Sequence, residues 1–145
     1  MELPPKPDGF DELCYKIGLA ILLGQKVQFA LAHYFAVYQI KHGGWTKEQG
    51  KKSVEGHLSK PMGVVVKSIL ERTITDDSVI LRIKEFKGLR NWLAHDFDQE
   101  SAIHIWKGEK IPEYISRLDL VIHEAQGVMI DLDFIGEKLC PSKPA

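Results

Sequence analysis

The chain reads as an all-α protein, an up-down helical bundle of four main helices with one or two short ones. Three observations predict this. No stretch of useful length alternates apolar and polar residues as a half-buried strand does. Apolar residues instead recur at steps of three and four along several segments. Glycines and capping residues punctuate those segments at helical lengths. The 145 residues, 44% of them apolar, suit one domain with a real core, spanning 1–145 with residues 1–9 and 140–145 as flexible tails.

The first helix is expected from about Asp11 to His42, ended by Gly43 and Gly44. At about 1.5 Å per residue it is roughly 48 Å long. Segment 17–40 is apolar on nearly every side, as in a bundle helix that also dimerises. Gln25, Lys26, Gln28 and His33 interrupt it, which argues against a membrane span. "TKEQ" (46–49) has the spacing of a capping box and opens a short polar helix to about Glu55, with Gly56 as its stop. Ser59 is the expected N-cap of the next helix, with Pro61 in its first turn and Arg72 near its end.

"TDD" (75–77) caps the helix that follows, and the two aspartates suit its positive end. That helix is expected over 77–95. "DQES" (98–101) then caps a short helix to about Trp106, broken by Gly108. The last helix runs from Ile111–Pro112 to about Leu139. Ile115, Leu118, Ile122, Ala125, Met129 and Leu132 form its seam, widened by Val121, Val128 and Ile135. An antiparallel arrangement of the first and last helices would bring Cys14 and Cys140 near each other.

A net charge of −1 argues against a broad polyanion-binding surface. The charge is uneven: residues 1–95 hold 14 Lys/Arg against 10 Asp/Glu, and residues 96–145 hold 5 against 10. Two cysteines make neither a zinc site nor a disulfide framework. "MELPPKPDGF" lacks the basic start and apolar run of a signal peptide. A reduced, cytoplasmic setting is the expectation, with no membrane association.

The informative stretch is "LRNWLAHDF" (89–97). At about 100° per residue, with Arg90 set at 0°, Val79, Ile83, Phe86, Leu93 and Ala94 all fall within roughly 60° of it. An arginine thus sits in the apolar stripe. It needs a carboxylate partner, an interface, a cleft, or an outward route for its charged end. Asn91, His95, Lys84 and Gly88 fall together at roughly 100–160°. The glycine suggests that something packs or binds close to the backbone there.

Arginine, asparagine and histidine suit a phosphodiester. Histidine exchanges protons near neutral pH. Arginine forks onto phosphate oxygens and stabilises the charge of a pentavalent transition state. Asparagine orients either. With RNA the 2′-OH is the nucleophile, so neither metal nor cofactor is required. The plainer reading makes His95 a helix-end dipole partner and Asn91 a helix-end polar residue. Lys84 and Lys87 are candidate nucleic-acid or nucleotide contacts, or else a solvated face. Trp92 is a base-stacking candidate or a packing residue. A metal site from His95, Asp96, Asp98, Glu100 and His104 is a further alternative, although Asp98 and Glu100 serve equally as cap and first-turn residues. His33 suits a core or interface position, and His57 and His123 the surface.

"EFKGLRNWLAH" (85–95) resembles the R-x4–6-H signature of HEPN domains (higher eukaryotes and prokaryotes nucleotide-binding). "RNWLAH", with "MGVVVKSILER" upstream and a long amphipathic helix after it, is similar to small bacterial stand-alone members. The specific part covers about ten residues; the helix order covers most of the chain. The resemblance implies an all-α homodimer with Arg and His of both protomers in one cleft at the two-fold axis. It also implies metal-independent ribonuclease activity in toxin–antitoxin or phage-defence systems, with a cognate antitoxin as partner. Arg90 would then stabilise phosphate, His95 act as general acid/base, and Asn91 orient them. A non-catalytic module binding nucleotide, RNA or a partner protein is the alternative. Two departures stand out. Phe97 occupies the position of a tyrosine that is adenylylated in some members. Gln25 or Gln28 stands where many members carry an acidic residue.

Overall fold

The computed structural model describes residues 2–74 and 76–140, apart from the side chains of Ser68, Leu70 and Glu71, and over these the protein is helical with no strand. The helices are α1 (Phe10–His42), α2 (Lys47–Leu58), α3 (Met62–Thr73), α4 (Asp77–Asn91), α5 (Phe97–Ile105) and α6 (Ile111–Leu139). A single π-helical turn, Trp92–Asp96, joins α4 to α5. None is long and apolar enough to cross a membrane.

Local chemistry sets most of the boundaries. The Gly43 N–H closes α1 on the Gln39 carbonyl. Thr46 and Gln49 form both halves of a capping box, at 2.8 and 3.1 Å. The Asp76 carboxylate accepts from the Ser78 hydroxyl at 2.6 Å and from the N–H groups of Val79 and Ser78, and these bonds, the hydroxyl's foremost, hold it below the usual carboxylate range. Two expected boundaries differ. α2 runs through Gly56 to Leu58, and Ser59 belongs to its end, donating to the Gly56 carbonyl at 2.8 Å. α3 therefore starts behind Pro61, with no side-chain cap. Thr75 and the "PSKPA" tail lie outside the described residues.

The expected break between α4 and α5 is also absent. Asp96 and Asp98 cap nothing; the chain continues through the π turn, where the Phe97 N–H donates to the Trp92 carbonyl.

α1 to α4 alternate in direction, and α6 runs against α4. Gly50 of α2 packs by Ile40 and Ala36 of α1, while His57 packs by Phe35, so α2 returns along α1. α4 runs against α6: Arg82 lies over Gly127, and Arg117 over Trp92. Because α2 is a full reversal, α1 and α6 end up parallel. Gly9 sits by Ile111, Lys16 pairs with Asp119 at 2.6 Å, and Tyr34 shares a groove with Leu132 and Cys140. This overturns the antiparallel reading that would have brought the cysteines together. Cys14 and Cys140 lie toward opposite ends of the bundle, exposed and unpaired.

Leu13, Val27 and Leu31 of α1, Val65 and Ile69 of α3, Ile83 and Phe86 of α4, and Leu118, Val121 and Val128 of α6 make the centre of the core. Within the predicted α6 seam, Leu118, Ala125 and Leu132 are fully enclosed; Ile115, Ile122 and Met129 are half-buried flanks.

Candidate functional site

Arg90 occupies the last turn of α4, on the side facing α1. Its seat is Gly24: a Cβ there would lie 3.4–3.7 Å from Arg90 Nε, Cδ and Cγ. The missing side chain lets the arginine stem lie along the α1 backbone. The guanidinium is half-buried, and burial pushes it below its usual pKa. No carboxylate among the described residues pairs with it. The other two arginines at the α4 region differ. Arg82 reaches Asp131 at 3.1 Å and Glu124 at 3.8 Å, and Arg117 lies 4.0 Å from Glu100 and 4.0 Å from the Trp92 ring centre.

One turn beyond Gly24, Gln28 is buried. Its Nε2 donates to the carbonyls of His57 at 3.1 Å and Lys60 at 2.7 Å, tying the α2–α3 link to α1. At this position a neutral amide closes backbone bonds and offers Arg90 no counter-charge. Gln25 is exposed. His57 is buried, against the surface placement expected from sequence. It packs edge-on to Phe35, hydrogen-bonds Ser53 at 3.3 Å, and has its pKa lowered by burial and then by Lys60.

The π turn positions His95. Trp92 is held on one side: its Nε1 donates to Glu100 at 2.9 Å, and Arg117 covers a ring face. Phe97 is held on the other, edge-on to both Trp92 and Tyr114 of α6. In an unbroken α-helix Phe97 would fall roughly 20° from the line of Arg90. The wider turn rotates less per residue and so directs Phe97 to α6 instead.

His95 is exposed, Asn91 half-buried, Lys84 exposed and Lys87 half-buried. A Cβ on Gly88 would meet nothing within 4 Å, so no part of the chain packs at that glycine. The face is open. Trp92 belongs to the packing, at 5% exposure, and does not offer a free face to a base.

No group of three or more His, Cys, Asp or Glu among the described residues is placed to hold a metal. Of the residues weighed for one, Glu100 accepts from Trp92 and His104 Nδ1 lies 3.0 Å from Glu109. A groove of about 460 Å³ between α1 and α6 is lined by Phe29, Tyr34, Leu132 and Asp133 and does not include the Arg90 set. His33 is exposed and stacks on Phe29, with ring centres 6.1 Å apart; His123 is exposed.

Sequence reasoning missed Gly24, and it named Gln28 without its bonds to the His57 and Lys60 carbonyls. A lone glycine inside an apolar helix was the available signal for the first. No family model matches the chain, and no match is found among curated proteins or solved structures.

Proposed function

We propose that this is a HEPN-like protein that binds RNA across the Arg90–Asn91–His95 face and cleaves it without a metal. The observation that carries the reading is Arg90: a half-buried guanidinium with no carboxylate partner among the described residues, next to a π turn that presents histidine. Such turns recur at functional sites because tertiary packing must stabilise them. Lys84 and Lys87 lie on the same helix and make no ion pair among the described residues, so they are available for flanking phosphates.

His95 takes the proton of the 2′-OH as the 2′-oxygen attacks phosphorus. The bond to the 5′-oxygen breaks, and that oxygen takes a proton from water as it leaves. Arg90 stabilises the charge on the non-bridging oxygens. The products are a 2′,3′-cyclic phosphate and a 5′-OH. In the toxin reading, a cognate antitoxin covers this face.

The resemblance also implies that two copies share one cleft. That arrangement requires a partner placed over the α4 face, where Gly88, Asn91 and His95 leave the surface open.

The test is incubation with structured RNAs in EDTA. Wild type should yield cyclic-phosphate ends, and His95→Ala should not; equal behaviour of the two sinks the catalytic reading. One observation favours the alternative, RNA binding without cleavage: His95 has no hydrogen-bonded group among the described residues to orient its ring. In that case RNA is retained, with steep salt dependence and no turnover.

A further inference from the structure

The groove between α1 and α6 lies outside everything the RNA reading uses. It holds about 460 Å³, within the range of small-molecule sites. On α1, Phe29 and His33 stack with ring centres 6.1 Å apart and planes 29° apart, so one wall is aromatic. On α6, Asp133 and Glu137 stand one turn apart and form an acidic edge. Ala30, Val37 and Leu132 add apolar surface between them. A Cβ on Gly136 would meet nothing within 4 Å, so the groove is left open at that position.

Charge decides which ligand fits. Among the described residues, no Lys or Arg lines the groove. Lys138, next in sequence to Glu137, is drawn elsewhere: its Nζ lies 4.5 Å from the centre of the Phe134 ring. Asp133 is exposed and enters no ion pair among the described residues. Glu137 and Cys140 lie at the C-terminal end of α6, where the helix dipole adds negative potential to that of the carboxylates. An anion would therefore meet like charge with no counter-charge. A neutral apolar molecule would use the apolar surface and leave the acidic edge idle. A cation on an apolar body uses both, and aromatic faces attract it as well.

We propose that this groove binds a small organic amine, its ammonium group at Asp133 and its apolar body between Leu132 and the Phe29–His33 wall. The site does not rest on the RNA reading. Phe29, His33 and Val37 fall roughly 140–180° around α1 from Gly24, the seat of Arg90.

An NMR titration of the full chain with 1-naphthylmethylammonium tests this. 1-Naphthylmethanol serves as the neutral counterpart and 1-naphthoate as the anionic one, all at constant ionic strength. Amide shifts at Phe29, His33 and Gly136 should saturate with the ammonium. The ammonium should bind about tenfold more tightly than the alcohol, and naphthoate should not bind. Asp133→Asn, at an exposed position, should weaken the ammonium roughly fivefold and leave the alcohol unchanged. Gly136→Leu should fill the groove and abolish saturation by both, without lowering the urea midpoint. Absence of saturation in wild type overturns the proposal. So does an alcohol or naphthoate that binds as tightly as the ammonium, or wild-type ammonium affinity in Asp133→Asn. Shifts that follow protein concentration and not added amine would mark the groove as a contact between copies and overturn it equally.

Discussion

Replacing Arg90 by methionine should make the protein more stable while weakening the RNA binding proposed for it. Methionine keeps an unbranched stem over Gly24 and deletes a charge that no described carboxylate compensates. A fully buried unpaired charge costs several kcal/mol, but Arg90 is only half-buried and water screens it, so the gain is about 1 kcal/mol. For a chain of this size that is a rise of roughly 3–4 °C in Tm. Urea unfolding followed by circular dichroism, at one fixed protein concentration so that self-association contributes equally, measures it. Arg90→Lys, which keeps the charge, should show no such gain. A loss of more than about 1 kcal/mol in Arg90→Met would refute the reasoning, because the guanidinium would then be making a favourable interaction within the fold.

Gly24→Ala should be neutral or stabilising: its Cβ would sit at ordinary contact distance from the Arg90 stem, 3.4–3.7 Å, and alanine gains about 1 kcal/mol of helix propensity. A clear drop in the urea midpoint would mean that Arg90 is pinned more tightly than its contacts indicate. Gln28→Leu should cost roughly 2 kcal/mol, because it leaves the His57 and Lys60 carbonyls without their amide donor; an unchanged midpoint contradicts the latch. His57 has its folded-state pKa lowered, chiefly by burial, so the unfolded chain binds the extra proton more readily. Stability should therefore fall as pH drops below about 6.5, level off once pH is below the folded-state pKa, and lose part of that slope in His57→Gln. Identical slopes in the two proteins would remove His57 from the account.

The elements that local chemistry decides were legible in the chain. Gly43 ends α1, Thr46 and Gln49 close their capping box, and α6 runs from Ile111 to Leu139. The placement of Arg90 against the core side of α4 followed from helical periodicity alone. What was not legible depends on contacts distant in sequence. The π turn exists because Trp92 and Phe97 are both anchored to residues beyond it, Glu100 and Tyr114 among them, and no dipeptide marks it. The parallel α1–α6 pair follows from α2 being a complete reversal, which shifts the direction of every later helix. The burial of His57 is set by Phe35 and by the Gln28 tether, both on another helix.

The central claim is that Arg90 stays unpaired within the fold because it binds RNA phosphate. RNA affinity measured against salt concentration for wild type and Arg90→Met tests this most directly. The account predicts weaker binding for the variant and a salt slope shallower by about 1, the signature of one lost phosphate contact. Equal affinity and equal slope in the two proteins would contradict it.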